Sequence, residues 1–98
     1  ISYIESNMRY IDGFLKNNIP QVKAVMPQAT YLMWLDFRSL GISHQDVKDL
    51  VINKARLALN DGTSFGPGGE GFMRLNVATP RSVLEMAMGR LKEAVTLV

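Results

Sequence analysis

Hydrophobic positions along this 98-residue chain follow two periods, and together they predict seven elements of secondary structure. Apolar residues spaced three and four apart indicate a helix, whereas alternating apolar and polar residues indicate a strand. The helical spacing covers residues 1–18, 43–56 and the segment from Pro80 onward. The strand pattern covers residues 21–27, 29–37, 57–59 and 71–77. This order predicts an α/β (α+β) two-layer sandwich, with a small sheet of about four strands covered by three helices.

Each predicted helix has an apolar stripe, and local signals mark where it begins or ends. Pro20 ends the first helix because the residue before a proline avoids the helical region. Ser43 is the expected N-cap of the second helix, in a near capping box with Asp46. Thr79 is the expected N-cap of the third helix, with Pro80 at its first position. The stripes are Ile4, Met8, Ile11 and Leu15, then Val47, Leu50, Val51 and Ala55, and finally Leu84, Ala87, Met88, Leu91 and Val95.

The strand predicted at residues 29–37 is apolar on both faces. Alternation sends Tyr31, Met33 and Leu35 to one face and Leu32 and Trp34 to the other. Because the helical stripes can cover only one face of the sheet, we expect something else to cover the second.

The two shorter strands are bounded by turn and breaker residues. Residues 21–27 alternate weakly and predict an edge strand that Pro27 stops. Residues 57–59 predict a strand that ends at Asn60-Asp61-Gly62, a strong turn signal.

The stretch FGPGGEGFMRLNVATP, residues 65–80, places one arginine among apolar neighbours. Alternation sends Met73, Leu75 and Val77 to the core face, and Phe72, Arg74 and Asn76 to the opposite face. A guanidinium is a planar fork that binds a carboxylate or a phosphate through two parallel hydrogen bonds. Arg74 is therefore a candidate anion-binding residue. A surface ion pair with Glu70 or Asp36 explains the same pattern, and the periodicity leaves both interpretations open.

The glycines of this stretch match two phosphate-binding patterns without the required context. Gly66, Gly68 and Gly71 satisfy the dinucleotide fingerprint, which needs a helix after the glycines, whereas here a strand follows. The G-x-x-G from Gly66 to Gly69 resembles the loop of KH domains, which joins two helices. We therefore interpret the segment as a turn that needs positive φ at several positions.

The other polar and aromatic candidates favour structural roles. We expect His44, at a helix N-terminus, to be exposed to solvent, and Tyr31 and Trp34 to lie in the core. The carboxylates fall on solvated helix faces, and nothing pairs them as acid and base. These carboxylates are Asp46, Asp49, Glu85 and Glu93.

Composition excludes several classes of function. The chain has no Cys and one His, so it offers no disulfide, no thiolate nucleophile and no metal cluster built from Cys or His. Its net charge of +2 comes from scattered Lys and Arg, which is a weak case for nucleic-acid binding. No apolar run approaches the ~20 residues that span a membrane. Because the first residue is Ile, we expect the chain to be part of something longer.

Three segments in this order resemble a known family: TYLMWLDF at 30–37, LALNDGTSFG at 57–66 and GFMRLNVATP at 71–80. They are similar to the C-terminal small domain of fold-type I, pyridoxal-phosphate (PLP)-dependent aminotransferases. The similarity is greatest to the class I/II branch that includes the MalY/PatB cystathionine β-lyases. It covers nearly the whole chain, and the GxGFxRLN-type segment is its most specific part.

The resemblance implies that residues 1–98 form one domain that supplies substrate-binding residues. In that family the Arg of the GxGFxRLN-type segment holds the α-carboxylate of the amino-acid substrate, which corresponds to Arg74. The aromatic residue at the start of the 30–37 strand lies near the substrate, which corresponds to Tyr31. The resemblance implies that the full enzyme catalyses transamination, or β-elimination from a C–S substrate.

The resemblance also implies what this chain lacks. The Schiff-base lysine and the phosphate-binding residues belong to a large domain upstream of Ile1, so we expect no catalytic, cofactor-binding or metal-binding residue here and an inactive fragment. The full enzyme is implied to bind PLP, to be a cytoplasmic homodimer, and to bind neither nucleic acid nor membrane. The alternative hypothesis is a stand-alone α/β module that binds an anionic peptide or nucleic acid through Arg74 and the glycine loop.

Overall fold

A computed structural model describes residues 2–26 and 31–98 of the chain. It confirms the predicted order of helices and strands. The elements are α1 (Tyr3–Asn18), β1 (Lys23–Val25), β2 (Leu32–Asp36), α2 (His44–Lys48), β3 (Asn60–Asp61), β4 (Phe72–Asn76) and α3 (Arg81–Thr96). A π-helical segment, Asp49–Lys54, continues α2, and short 3₁₀ turns lie at Arg38–Leu40 and Gly62–Phe65. No helix in these two described segments is long and apolar enough to cross a bilayer.

The four strands form one antiparallel sheet in the order β1-β2-β4-β3. The weakly alternating strand β1 lies at an edge, as predicted. At the centre, Trp34 of β2 is opposite Arg74 of β4, and Asn60 of β3 flanks Arg74 on the other side. Arg74 therefore projects from the middle of the sheet, between two neighbouring strands.

One face of the sheet forms the core with the helices. Met33, Leu35, Met73 and Val77 are fully buried, and Leu75 nearly so. The predicted helical stripes pack on this face, with two differences from expectation. Ile4 and Met8 are only partly buried, and in α3 Ala94 is buried while Val95 is only partly buried.

Tyr31 is not on the core face, contrary to the prediction, because it lies one residue before β2 begins. Its ring is 49% exposed, although its carbonyl still accepts a hydrogen bond from the Val77 amide. Residues 29 and 30 of the predicted strand, and Pro27, lie outside the described residues.

The strand predicted at 57–59 is wrong, because pairing with β4 begins only at Asn60. Arg56 ends the preceding helix with a left-handed φ of 57°. The amide of Leu57 then donates back to the Val51 carbonyl rather than to a strand. The predicted turn Asn60-Asp61-Gly62 is instead strand β3 followed by a 3₁₀ turn, which Asp61 caps.

The N-cap of α2 is confirmed and that of α3 is not. The Ser43 hydroxyl accepts a hydrogen bond from the Asp46 amide, as the capping box predicts. At α3, the Thr79 hydroxyl donates instead to the Asn76 carbonyl. The first helical hydrogen bonds run to the carbonyl of Pro80, which makes Pro80 the N-cap and Arg81 the first helical residue.

Candidate functional site

Arg74 lies on the face of β4 opposite the core, as the alternation predicts. Its guanidinium carbon lies 3.9 Å from the centre of the Phe65 ring. Its Nη2 donates a long hydrogen bond of 3.4 Å to Oδ1 of Asn60. Its Nε is buried and has no hydrogen-bond partner among the described residues. The arginine is therefore held by a ring and an amide, and part of its hydrogen-bonding capacity is unused.

The alternative interpretation, a surface ion pair of Arg74 with Asp36 or Glu70, is wrong for residues 2–26 and 31–98. Asp36 binds Arg38 instead, through two hydrogen bonds of 3.0 and 2.9 Å. These hydrogen bonds lower the pKa of the Asp36 carboxyl. Glu70 is exposed and forms no ion pair within the same residues.

Aromatic rings surround Arg74 on this open face. Trp34 meets both Phe65 and Phe72 edge-on, with centroid distances of 5.5 and 6.5 Å. The Arg38 guanidinium covers the outer side of the group, 4.8 Å from the Phe72 centroid. These rings and the glycine loop line a cleft of about 240 Å³. Arg74 and Arg38 lie against rings of this face, but the cleft itself is lined by apolar and glycine residues and by neither arginine.

The glycine segment is the turn that the sequence predicts. Gly66, Gly68 and Gly71 have φ of 123°, 87° and 85°, a region that favours glycine. Gly62 is required for a different reason, since a Cβ there would lie 2.4 Å from the Phe72 carbonyl oxygen. The segment leads into β4 rather than into a helix, so it lacks the geometry of a dinucleotide-binding loop.

His44 is not exposed to solvent, contrary to the prediction, because two hydrogen bonds hold it against the sheet edge. Its side chain is only 16% exposed. Nδ1 accepts a hydrogen bond of 2.8 Å from the Gly71 amide. Nε2 lies 2.7 Å from Oδ1 of Asp61. The helix N-terminus alone suggested exposure, and nothing local indicated these two partners, which are 17 and 27 residues away.

Asp61 is the centre of this second cluster. It accepts hydrogen bonds from the Thr63 amide and hydroxyl, each at 2.8 Å, and Lys48 lies 3.3 Å away. Burial alone would raise the pKa of Asp61, but the hydrogen bonds from Thr63, His44 and Lys48 outweigh it. They hold the pKa well below the usual range of an aspartate.

The remaining candidates lie away from this site. Tyr31 is exposed, and neither a hydrogen bond nor a ring contact joins it to Arg74 in the described part of the chain. Trp34 is half-buried on the open face rather than in the core. Within the same part, no three His, Asp or Glu side chains converge where a metal could bind.

Alternation in the sequence predicts Arg74 on this face, but it does not predict Asn60 and Phe65, which supply its hydrogen-bond acceptor and the ring under its guanidinium. The sequence predicts a turn at Asn60, and it indicates no role for Phe65 beyond its position before a glycine loop. The signal that could have predicted them is the turn sequence Asn60-Asp61-Gly62. A short strand at that point, in place of a turn, puts residues 60–65 beside β4.

Comparisons with known proteins agree with this fold. Cystathionine β-lyase PatB of Bacillus subtilis is 42% identical over 96 residues, which is 98% of this chain and 25% of PatB. No protein-family model matches the chain. The chain thus spans about a quarter of the length of the curated relatives it matches.

Two solved structures have the same fold over nearly the whole chain. A PLP-bound putative aminotransferase from Clostridium difficile is 43% identical with a TM-score of 0.90, over 95% of this chain and 24% of its own. Cystalysin from Treponema denticola, whose structure contains pyridoxal 5′-phosphate, is 38% identical with a TM-score of 0.91, over 96% of this chain and 24% of its own.

Proposed function

We propose that this chain is the C-terminal small domain of a longer PLP enzyme. The proposal starts from its fold, which is the small-domain fold of PLP-dependent aminotransferases and MalY/PatB cystathionine β-lyases. The enzyme acts on an amino acid, by transamination or by β-elimination from a C–S substrate. In this proposal Arg74 binds the α-carboxylate of the substrate, and Tyr31 lies near the substrate.

The observation that carries the proposal is the state of Arg74. A half-buried guanidinium usually has a carboxylate partner, because an unpaired charge loses hydration without compensation. Here the two contacts are a ring face and one long hydrogen bond to an amide. Nε, one donor of the planar fork, is buried and unused. A bound carboxylate would supply the missing acceptors.

The open face fits a substrate carboxylate better than it fits the cofactor. The open face holds two guanidinium groups, but Arg38 is paired with Asp36, so Arg74 is the one without a carboxylate partner among the described residues. Three of the chain's lysines already lie beside carboxylates: Lys16 with Asp12, Lys48 with Asp61 and Lys54 with Asp49. We propose, as the family resemblance implies, that the residues that hold PLP belong to the remainder of the enzyme.

The role of this chain is then binding and orientation. PLP, where it is bound, supplies the chemistry of the reaction. Arg74 fixes the carboxylate end of the amino acid, and the ring of Phe65 limits the directions in which the guanidinium can point. Holding a substrate in one orientation lowers the entropic part of the barrier.

The test is the kinetics of Arg74 variants in the intact enzyme. We expect Arg74→Ala to lower kcat/KM for amino acids by about 100-fold or more, since a charge-assisted hydrogen bond contributes about 1.5–3 kcal/mol and a bidentate pair lies near the top of that range. Arg74→Lys should recover only part of the loss, because an ammonium cannot reproduce the fork. Because the contact is with substrate, the PLP absorbance should stay near that of the wild type.

The matched control is Arg9→Ala, which removes an exposed arginine from α1 and should leave kcat/KM unchanged. An Arg74→Ala enzyme with full cofactor and less than about a threefold loss in kcat/KM would remove Arg74 from the substrate site. It would return Arg74 to a purely structural role on the surface of the sheet.

A second experiment tests the expectation that this chain has no PLP-dependent activity by itself. The purified chain is mixed with PLP and reduced with borohydride, and its lysines are mapped. We expect only scattered low labelling. Stoichiometric labelling of one lysine, or turnover of an amino acid, would contradict the proposal. The homodimer and the cytoplasmic location that the resemblance implies stay predictions.

A further inference from the structure

Among the described residues, the hydrogen-bond partner of the Arg74 side chain and the ring under its guanidinium belong to one short segment, residues 60–65. Asn60 accepts its hydrogen bond, and Phe65 presents its ring. Asp61 shapes this segment, because its Oδ1 accepts hydrogen bonds from the amide and the hydroxyl of Thr63. These two bonds cap the 3₁₀ turn that ends at Phe65. The position of the ring next to Arg74 therefore depends on the Asp61 carboxylate.

His44 joins this segment to the strand that carries Arg74. A backbone amide can only donate, so Nδ1 of His44 must accept the hydrogen bond from Gly71. Nε2 then carries the ring proton and donates a hydrogen bond to Asp61 Oδ1. The imidazole is thus a neutral bridge with a defined tautomer, fixed at both nitrogens.

The two attachment points of His44 both lie toward the N-terminal end of β4 from Arg74, one in the chain that leads into β4 and one on the neighbouring strand β3. Gly71 immediately precedes β4, and its carbonyl accepts a second hydrogen bond from the Phe37 amide. Asp61 is paired with Met73 in the sheet, next to the Asn60–Arg74 pair. The bridge therefore sets the spacing between the start of β4 and the segment that contacts the guanidinium.

We propose that His44, together with Asp61, is a positioning residue for Arg74, holding Asn60 and Phe65 where they orient the guanidinium for a carboxylate. This inference rests on the proposed function, and it adds residues that do not touch the substrate. The Arg74 side chain is long, and its one hydrogen bond to protein is weak, so its direction depends on the ring and amide beside it. If the hydrogen bonds that hold residues 60–65 are lost, the guanidinium can change its direction although Arg74 itself is still there.

Three variants of His44 separate its two hydrogen bonds. His44→Asn keeps an acceptor near the position of Nδ1 for Gly71 but does not reach Asp61. His44→Gln is long enough to keep a donor for Asp61. His44→Phe fills the same space without either hydrogen bond. Gln45→Phe, at the next and exposed position of α2, is the matched control and should have no effect on kinetics.

The first readout is a double-mutant cycle in the intact enzyme. We expect His44→Phe to raise KM for the amino acid about tenfold, with kcat changed less than about twofold and the PLP content unchanged. His44→Asn and His44→Gln should give intermediate values of KM. In an Arg74→Ala background, His44→Phe should have no further effect, because the group that it positions is gone. An equal loss in both backgrounds, or no loss in the wild-type background, would overturn the proposal.

The second readout does not depend on activity. Crystal structures of the intact protein with His44→Phe and His44→Asn should show the Arg74 guanidinium displaced from the Phe65 ring, more so in the first. An unmoved guanidinium in both structures would overturn the proposal even if KM rises. If His44→Phe does not fold, His44→Asn, which keeps the Gly71 hydrogen bond, decides the question alone.

The two readouts also distinguish this proposal from the proposed function. If Arg74→Ala leaves kcat/KM unchanged, the carboxylate role of Arg74 is wrong. A displaced guanidinium in the His44 variants would in that case still establish the structural coupling, and an undisturbed one would reject both proposals.

Discussion

The two faces of the central sheet are built from the same strands, yet they have opposite character. On the core face, Met33, Leu35 and Met73 have no exposed surface and belong to the buried apolar cluster. On the open face, Trp34, Phe72 and Arg74 are half-buried, and charges lie among the rings. Successive residues of β2 and β4 alternate between these environments. One residue of a strand therefore contributes to stability in the core, and the next residue lies on the face that we propose for recognition.

The open face is only partly covered, and residues of the chain itself provide that cover. Phe65 and Arg38 lie over the rings of Trp34 and Phe72, yet Phe65, Tyr31 and Val25 remain about half exposed. The expectation that something covers the second face is thus met in part from within the described residues. The core face owes its stability to burial, whereas the open face depends on a few directed contacts, so substitutions on the two faces should have different consequences.

The largest difference should appear between two leucines of β2. Leu35→Ala should lower the free energy of unfolding by about 2–5 kcal/mol, because it leaves a cavity in a fully buried site. Leu32→Ala, on the half-buried open face of the same strand, should cost about half as much or less. Urea unfolding monitored by circular dichroism measures both. Equal losses would mean that the open face is as well packed as the core.

The next largest effect should come from the carboxylate that shapes residues 60–65. Asp61→Ala leaves the Thr63, His44 and Lys48 donors without their acceptor and should destabilise the fold by about 1–3 kcal/mol. Asp49→Ala is the control, since Asp49 forms an exposed ion pair with Lys54 that contributes about 0–1 kcal/mol. Thermal unfolding compares the two variants, and an Asp49 effect as large as that of Asp61 would contradict this view of the cluster.

Acid should weaken the fold through Asp61 and Asp36. Both carboxyls have a folded-state pKa below the ordinary value of 3.8. A depressed pKa gives stability that is complete above the unfolded value and is lost as the pH falls through the folded one. The midpoint of urea unfolding should therefore decline from about pH 5 downward.

The acid effect can be assigned by substitution. Asp61→Asn should have a smaller decline in its unfolding midpoint over the same pH range than the wild type, because one of the two carboxyls no longer titrates. A decline identical in the wild type and in Asp61→Asn would assign the pH dependence to other groups.

The smallest effect on stability should come from Arg74. Arg74→Met keeps much of the apolar stem against the Phe65 ring and removes a buried Nε that has no partner. We expect the free energy of unfolding to change by less than about 1 kcal/mol. Arg81→Met is the contrasting variant, because Arg81 donates to Asn7 and Ser6 and should be more costly to replace. A large loss in Arg74→Met would indicate a structural role for this arginine.

Features that depend on periodicity or on a single local signal can be predicted from the amino-acid sequence. The stripes of α1, α2 and α3, the Ser43 cap and the core face of β4 all follow from spacings of two to four residues. Arg74 belongs to this group, because alternation alone places it opposite Met73 and Leu75. The positive φ values in the glycine turn likewise follow from residue type.

The groups beside Arg74 follow from strand pairing and not from any local pattern. Asn60 and Phe65 reach it because β3 pairs with β4 in one register, and a strand of two residues has no periodicity to reveal it. The residues around His44 predict an exposed side chain at the start of a helix. Its partners Asp61 and Gly71, however, come from distant positions in the chain. Thr79 has a residue type suited to capping, but its hydroxyl bonds to Asn76 instead. Local patterns select an element and its buried face, whereas pairing between distant segments decides which polar groups meet.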